Sequence, residues 1–417
     1  MAFESLPTEL RMLILQQLPD IPSLKALVHA SPIYYHTYTV AKKNLFQQIL
    51  QRQYGLVDLA EPMAAIRSQG LHADIRANKE DIIALLDRYR RHDELPPSAN
   101  APTDIDECLQ LSQLYQQFEF LLHRYCAQAS CPPEVAQPAA ERNHPRIPST
   151  TEKARILRAL CRLQMYCNIF GAREWEDSQP SDASPPPVLT RSKRRSSSWY
   201  CNFQLHEMWG LIFATMPPWE VEEFGCLWMF LQQQYTNIFS EIAQEFPRNS
   251  PEWQALRLTV DSMELFPSVD GDGSDGSDYN DYNNHLVSLG PQFLANALRQ
   301  PYRARRNLIA CNAVPCKSSF MILVQVSRDP PALLFPADKY EGEDMGGVLA
   351  TLPAIEQPTL GWKQHWYGYS PVTRVRQVLR TGPHEDVWVE RLIGNFPGWQ
   401  WGYAIWDEER YTAGHRI

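Results

Sequence analysis

The sequence predicts a mainly α-helical protein, and three observations carry that prediction. Apolar residues recur at helical spacing along most of the chain. Capping residues, prolines and glycines bracket those stretches. Only the C-terminal third leaves room for a few short strands, because residues 320–326 form an apolar run that periodicity assigns neither to a strand nor to a buried helical segment. With 417 residues, 44% hydrophobic and 21% charged, the chain can bury two or three lobes, and its 33 prolines punctuate helices and loops.

Taken in order, the first helix is expected over residues 5–20. Ser5 can cap it, Pro7 falls in the first turn where its missing N–H costs nothing, and Glu9 suits the positive end. Leu6, Leu10, Leu13, Ile14 and Leu18 are expected on its core stripe, with Met12 and Leu15 outside it. Pro19 and Pro22 force a turn. A second short helix follows with Leu24, Leu27 and Val28, then Ser31-Pro32 starts a third in which Tyr34, Tyr38, Ala41 and Leu45 share a face until Gly55. Further helices are expected at 78–91 with Asn78 as cap, at 104–126, from the capping box Ser149-x-x-Glu152 to Gly171, and at 203–216 and 219–246 on either side of Pro217-Pro218.

These elements organise the chain as a three-helix module over 1–55, a helical region over 56–175, a helical region over 199–266, and a Trp-rich region over 285–417 packed on the body. Two segments between them are expected to be disordered. Residues 176–198 are dominated by Pro, Ser and charge, and residues 267–284 by Gly, Asp and Asn, so neither can bury enough surface to offset chain entropy.

The net charge of −9 argues against a chain-wide nucleic-acid footprint. No apolar run approaches the ~20 residues of a spanning helix, and MAFESLPTEL lacks the pattern of a secretory signal. Nine cysteines without a C-x-x-C pair point to reduced thiols in a cytoplasmic or nuclear compartment and not to zinc. No nucleophile elbow, phosphate loop or H-E-x-x-H motif is present, so the expectation is a non-enzyme without cofactor or metal. Asp270-x-Asp272-x-Ser274 with Asp281 has calcium-loop spacing, but Asp275 stands where Gly is required and the last ligand is not Glu. Arg191–Arg195 has the composition of an import signal, with Ser197 placed for a basophilic kinase.

The order Leu6-Pro7-x-Glu9-Leu10, Ile14-Leu15, Leu18, Leu24, Leu27, Ala30-Ser31, Tyr34 resembles the F-box, over about a tenth of the chain, and the whole chain looks like the F-box-like proteins of filamentous fungi. Pro32 and Tyr34 depart from that pattern, where a basic residue and a Trp are usual. The resemblance implies a three-helix module that docks on the Skp-type adaptor of a cullin–RING ubiquitin ligase, the body holding a protein client. The adaptor surface it implies comprises Leu6, Pro7, Leu10, Ile14, Leu15, Leu24 and Leu27, to which the apolar surplus at Met12 adds a further contact. The competing expectation is an interaction or structural protein whose F-box-like head packs only on its own body.

Overall fold

The computed structural model describes residues 3–96, 99–128, 147–174, 202–245, 284–312, 349–353, 356–363, 397–408 and 410. The run at 320–326, the segment 176–198, the basic run Arg191–Arg195, the acidic segment except Asn284, Trp366 and Trp388 all lie outside those residues. Every regular element among the described residues is helical.

The head consists of α1 (Thr8–Gln16), α2 (Ile21–Ala30) and the first half of α3 (Pro32–Tyr54). Its first helix starts later than expected. Phe3–Ser5 form a separate 3-10 turn, and Pro7, with ψ 152°, is the N-cap; Ser5 does not cap. The residue before a proline is biased to extended backbone, so Leu6-Pro7 divides the turn from the helix.

The buried face of α1 also differs from expectation. Leu15 is 0% exposed and packs toward α3, while Leu10 and Leu13 are 46% and 52% exposed. Because α1 carries apolar residues on both sides, spacing alone could not choose the inward one. Asp20 caps α2 by accepting from the Ser23 N–H at 2.6 Å, and Ile21, Leu24 and Val28 face inward. Pro32 opens α3, which kinks at Ala41 (φ −128°, ψ 21°). Beyond the kink, Leu45, Phe46, Ile49, Leu50 and Tyr54 join the body's core, and α3 packs against α6. Gly55, at φ 65° and ψ −111°, ends it with a positive φ that glycine adopts without strain.

The body contains α4 (Ala60–Arg67), α5 (Lys79–Arg90), α6 (Ile105–Gln128), α7 (Thr150–Phe170), α8 (Leu205–Leu211), α9 (Pro218–Glu245), α10 (Pro291–Arg299), α11 (Tyr302–Asn312) and α12 (Pro397–Trp401). Sequence reasoning did not assign α4. Its residues 60–66 are all buried, so no polar face marks its period. Asn78 is the N-cap of α5, yet its side chain donates to the Gly70 and His72 carbonyls instead of capping. The helix expected over 203–216 is shortened to α8 and a 3-10 turn at Phe213–Thr215, and Gly210, a poor helix former, lies beside the break.

The central element is α7. Both halves of its capping box are present: Ser149 Oγ accepts from the Glu152 N–H at 3.1 Å, and the Ser149 N–H donates to Glu152 Oε2 at 2.9 Å. It packs against α4, α6, α9 and α10. Late in the chain, α12 lies on α9, where a Cβ at Gly225 would collide with the Trp399 ring. Trp362, Trp399 and Trp406 are buried. Trp406 stacks on Tyr125 at 5.4 Å, and Trp219 meets Trp362 edge-on at 5.7 Å.

Candidate functional site

The residues expected to form a docking surface divide into three groups. Pro7 and Leu10 are exposed; Leu6, Met12, Ile14 and Leu27 are half-buried; Leu15 and Leu24 face the interior. The expectation that Leu15 lies off the core stripe is therefore corrected, for it is the most buried residue of α1. The Leu10/Leu13 edge occupies the outward side in its place.

Apolar exposure is concentrated in the head. Of the nine exposed large hydrophobic residues among the described ones, five lie between residues 10 and 40: Leu10, Leu13, Ile33, Tyr35 and Val40, the last 84% exposed. Two of these, Ile33 and Tyr35, flank the buried Tyr34 at the start of α3. Arg11 holds α1 beside that start, donating from Nη1 to the Ile33 carbonyl at 3.5 Å and from Nη2 to Thr8 Oγ1 at 2.9 Å. Ser31 Oγ donates to Glu4 Oε1 at 2.6 Å, which ties down the preceding turn. At the other end, Arg52 donates to the Leu18 carbonyl at 2.8 Å and to the Gln16 carbonyl. The head is also locally cationic, since residues 21–57 contain Lys25, Lys42, Lys43 and Arg52 but no Asp or Glu.

The body's centre holds a polar constellation that sequence reasoning missed. Arg155, Arg158 and Arg162 stand at i, i+3 and i+7 on α7, so one face of this largely buried helix carries three guanidiniums. Arg162 pairs with Glu61 of α4 at 2.7 Å and with Glu220 of α9 at 2.5 Å, and its Nε donates to Tyr89 Oη at 3.0 Å. Tyr89 in turn donates to Glu61 Oε2 at 2.7 Å. Arg158 pairs with Glu223 at 2.6 Å and Glu220 at 3.0 Å. Arg155 reaches Asp407 at 2.6 Å and the Ile405 carbonyl at 2.9 Å. Beside this row, Trp399 Nε1 donates to Glu222 Oε2 at 2.5 Å. Burial raises the Glu223 carboxyl against the opposing pull of Arg158. The periodic arginines were visible in the sequence, but their acidic partners come from distant segments.

This constellation is built to join helices. Arg162 is engaged by carboxylates of α4 and α9, Arg158 by two carboxylates of α9, and Arg155 by a carboxylate and a carbonyl near the C-terminal end of the described residues, so the row ties α7 to its neighbours. Burial pushes the Cys161, Cys167 and Cys226 thiols up and Cys108 up to about 11, which disfavours thiolate chemistry at neutral pH. Among the described residues no group of three His, Cys, Asp or Glu is placed to hold a metal ion, and no helix is long and apolar enough to cross a membrane.

No family model matches the chain, and neither does any curated protein or solved structure.

Proposed function

We propose that the protein is a non-catalytic substrate-receptor subunit of an SCF-type cullin–RING ubiquitin ligase, docking a Skp-type adaptor through its head and holding a protein client on its body. The concentration of exposed apolar side chains on α1 and the first half of α3 is the observation that carries this function. Leu10, Leu13, Ile33, Tyr35 and Val40 present surface that association would remove from water, at ~25 cal/mol per Å². The neighbouring Lys25, Lys42 and Lys43 favour an adaptor face rich in carboxylates. Such a subunit needs no reacting group of its own, because it acts by raising the client's effective concentration near the ligase.

The second function, a head that serves only its own body, is favoured by a different observation. Leu15 and Leu24 are buried, and α3, kinked at Ala41, carries the chain directly from the head into the body. Co-expression with a Skp-type adaptor separates the two. The expected result is that the wild type retains the adaptor through purification, whereas Leu10→Asp/Leu13→Asp loses it with an unchanged melting transition. A wild-type protein that never retains the adaptor would leave the structural role standing.

A further inference from the structure

The N-cap hydroxyl of α7 also fastens that helix to a segment far along the chain. Besides accepting from the Glu152 N–H, Ser149 Oγ donates to Asp407 Oδ2, 258 residues away. Thr151 Oγ1 donates to the same carboxylate oxygen at 2.5 Å, and Arg155 Nη1 donates to Oδ1 at 2.6 Å. In return, the Asp407 N–H donates to Glu152 Oε1 at 2.9 Å. Arg410 grips Glu152 through Nε and Nη2, each at 2.5 Å, and lies over the Trp406 ring at 4.8 Å.

These charges balance only while Ser149 is neutral. Burial would raise the Asp407 carboxyl, but hydrogen bonds from Ser149, Thr151 and Arg155 hold it below its ordinary range. Asp407 and Glu152 thus stand as two carboxylates beside Ser149, matched one for one by Arg155 and Arg410. Capping does not call for the bond to Asp407, since an N-cap oxygen has only to accept from its own helix. The extra bond joins two remote segments through a hydroxyl that an enzyme can reach. Ser149 is exposed, and Ile147 just before it is 90% exposed, whereas Thr151, which shares the carboxylate, is half-buried. In the sequence Arg146 stands three residues before Ser149, the spacing an arginine-directed kinase reads.

We propose that Ser149 is a phosphorylation site, and that its modification by a serine kinase releases Asp407 from the N-terminal end of α7. The γ-phosphoryl group of ATP passes to Ser149 Oγ. The new P–O bond forms as the bond to the β,γ-bridging oxygen breaks, ADP departs, and the hydroxyl proton goes to solvent. Ser149 then has no proton to donate, and a charge of about −1.5 to −2 faces the Asp407 carboxylate. Attraction becomes repulsion. The phosphate is covalently held at the positive end of α7, so the carboxylate is the group that leaves. With it go the N–H bond to Glu152 and the pairing with Arg155. This switch does not rest on adaptor docking, and either can fail without the other.

The test uses the full-length protein. The catalytic subunit of cyclic-AMP-dependent kinase with ATP is expected to place phosphate on Ser149, mapped by peptide mass spectrometry, and Arg146→Gln should lower the yield. Phosphoserine installed at position 149 by codon reassignment then isolates the effect. Hydrogen exchange over residues 403–410 should quicken about tenfold or more, as a charge-assisted hydrogen bond gives way to repulsion. In Asp407→Asn, where no anion at that position faces the phosphate, the same modification should change exchange by less than about twofold. Ser149→Asp keeps a capping oxygen but sets a carboxylate against Asp407. It should act in the same direction as the phosphate, and it decides the matter if the phosphoserine protein folds poorly. No phosphate on Ser149 when Ser197 of the same molecule is modified, unchanged or slower exchange, or equal acceleration in Asp407→Asn would overturn the proposal.

Discussion

The head and the centre of the body place their side chains in opposite ways. In the head, Leu10, Leu13 and Val40 stand in solvent; along α7, Arg155 and Arg162 are enclosed by other helices. Both arrangements run against simple partition, in which apolar groups go inside and charges outside. The difference lies in what offsets each one. The arginines find Glu61, Glu220, Glu223 and Asp407 within the same fold, so the enclosed charge is balanced internally. The exposed leucines of α1 remain in water, and in the proposed function an adaptor would cover them. An irregularity balanced from within belongs to the architecture, and one left open on the surface is what the proposed docking function would close.

The largest effect should come from breaking the internal balance. Arg162→Ala would leave the buried Glu61 and the half-buried Glu220 with reduced compensation, and such losses cost about 3–5 kcal/mol. Urea unfolding measures it directly. A loss below ~1 kcal/mol would place the network in the same class as surface ion pairs and erase the contrast with the head.

Within α1 the comparison can be sharpened between two leucines. Leu15→Ala removes a fully buried side chain and should cost about 2–5 kcal/mol, whereas Leu10→Ala should stay within about 0.5 kcal/mol. Equal costs in the same unfolding experiment would mean that the outward edge of α1 is covered in solution.

A smaller effect concerns pH. Burial alone would raise the Glu107 carboxyl, but hydrogen bonds from Arg67, with Nε at 2.8 Å, and from Thr103 prevail and hold it at about 2, below its ordinary 4.5. A carboxylate depressed by folding stabilises the native state above its unfolded value, and this contribution disappears as pH falls through the folded one. The stability difference between wild type and Glu107→Gln should therefore be full above pH 4.5 and shrink toward pH 2. A difference independent of pH across that window would show that the bond to Arg67 does not depend on ionisation.

By itself, the sequence determined the elements whose signals act within one turn. The Ser149/Glu152 box satisfies nearby backbone N–H groups, and Pro32 and Gly55 set backbone angles at their own positions, so the bounds of α3 and the start of α7 could be read locally. The periodic arginines of α7 were equally visible. Whether they faced water was not, because Glu61 lies 101 residues from Arg162 and Glu220 lies 58 away, and a charge enters a core only when its partner arrives with it. The same dependence hid the inward face of α1, which α3 selected from two apolar sides, and the role of Asp407, which reaches Thr151 across 256 residues of chain. Caps and stops belong to the local backbone, but burial belongs to pairs of surfaces, and only tertiary packing decides which surfaces meet.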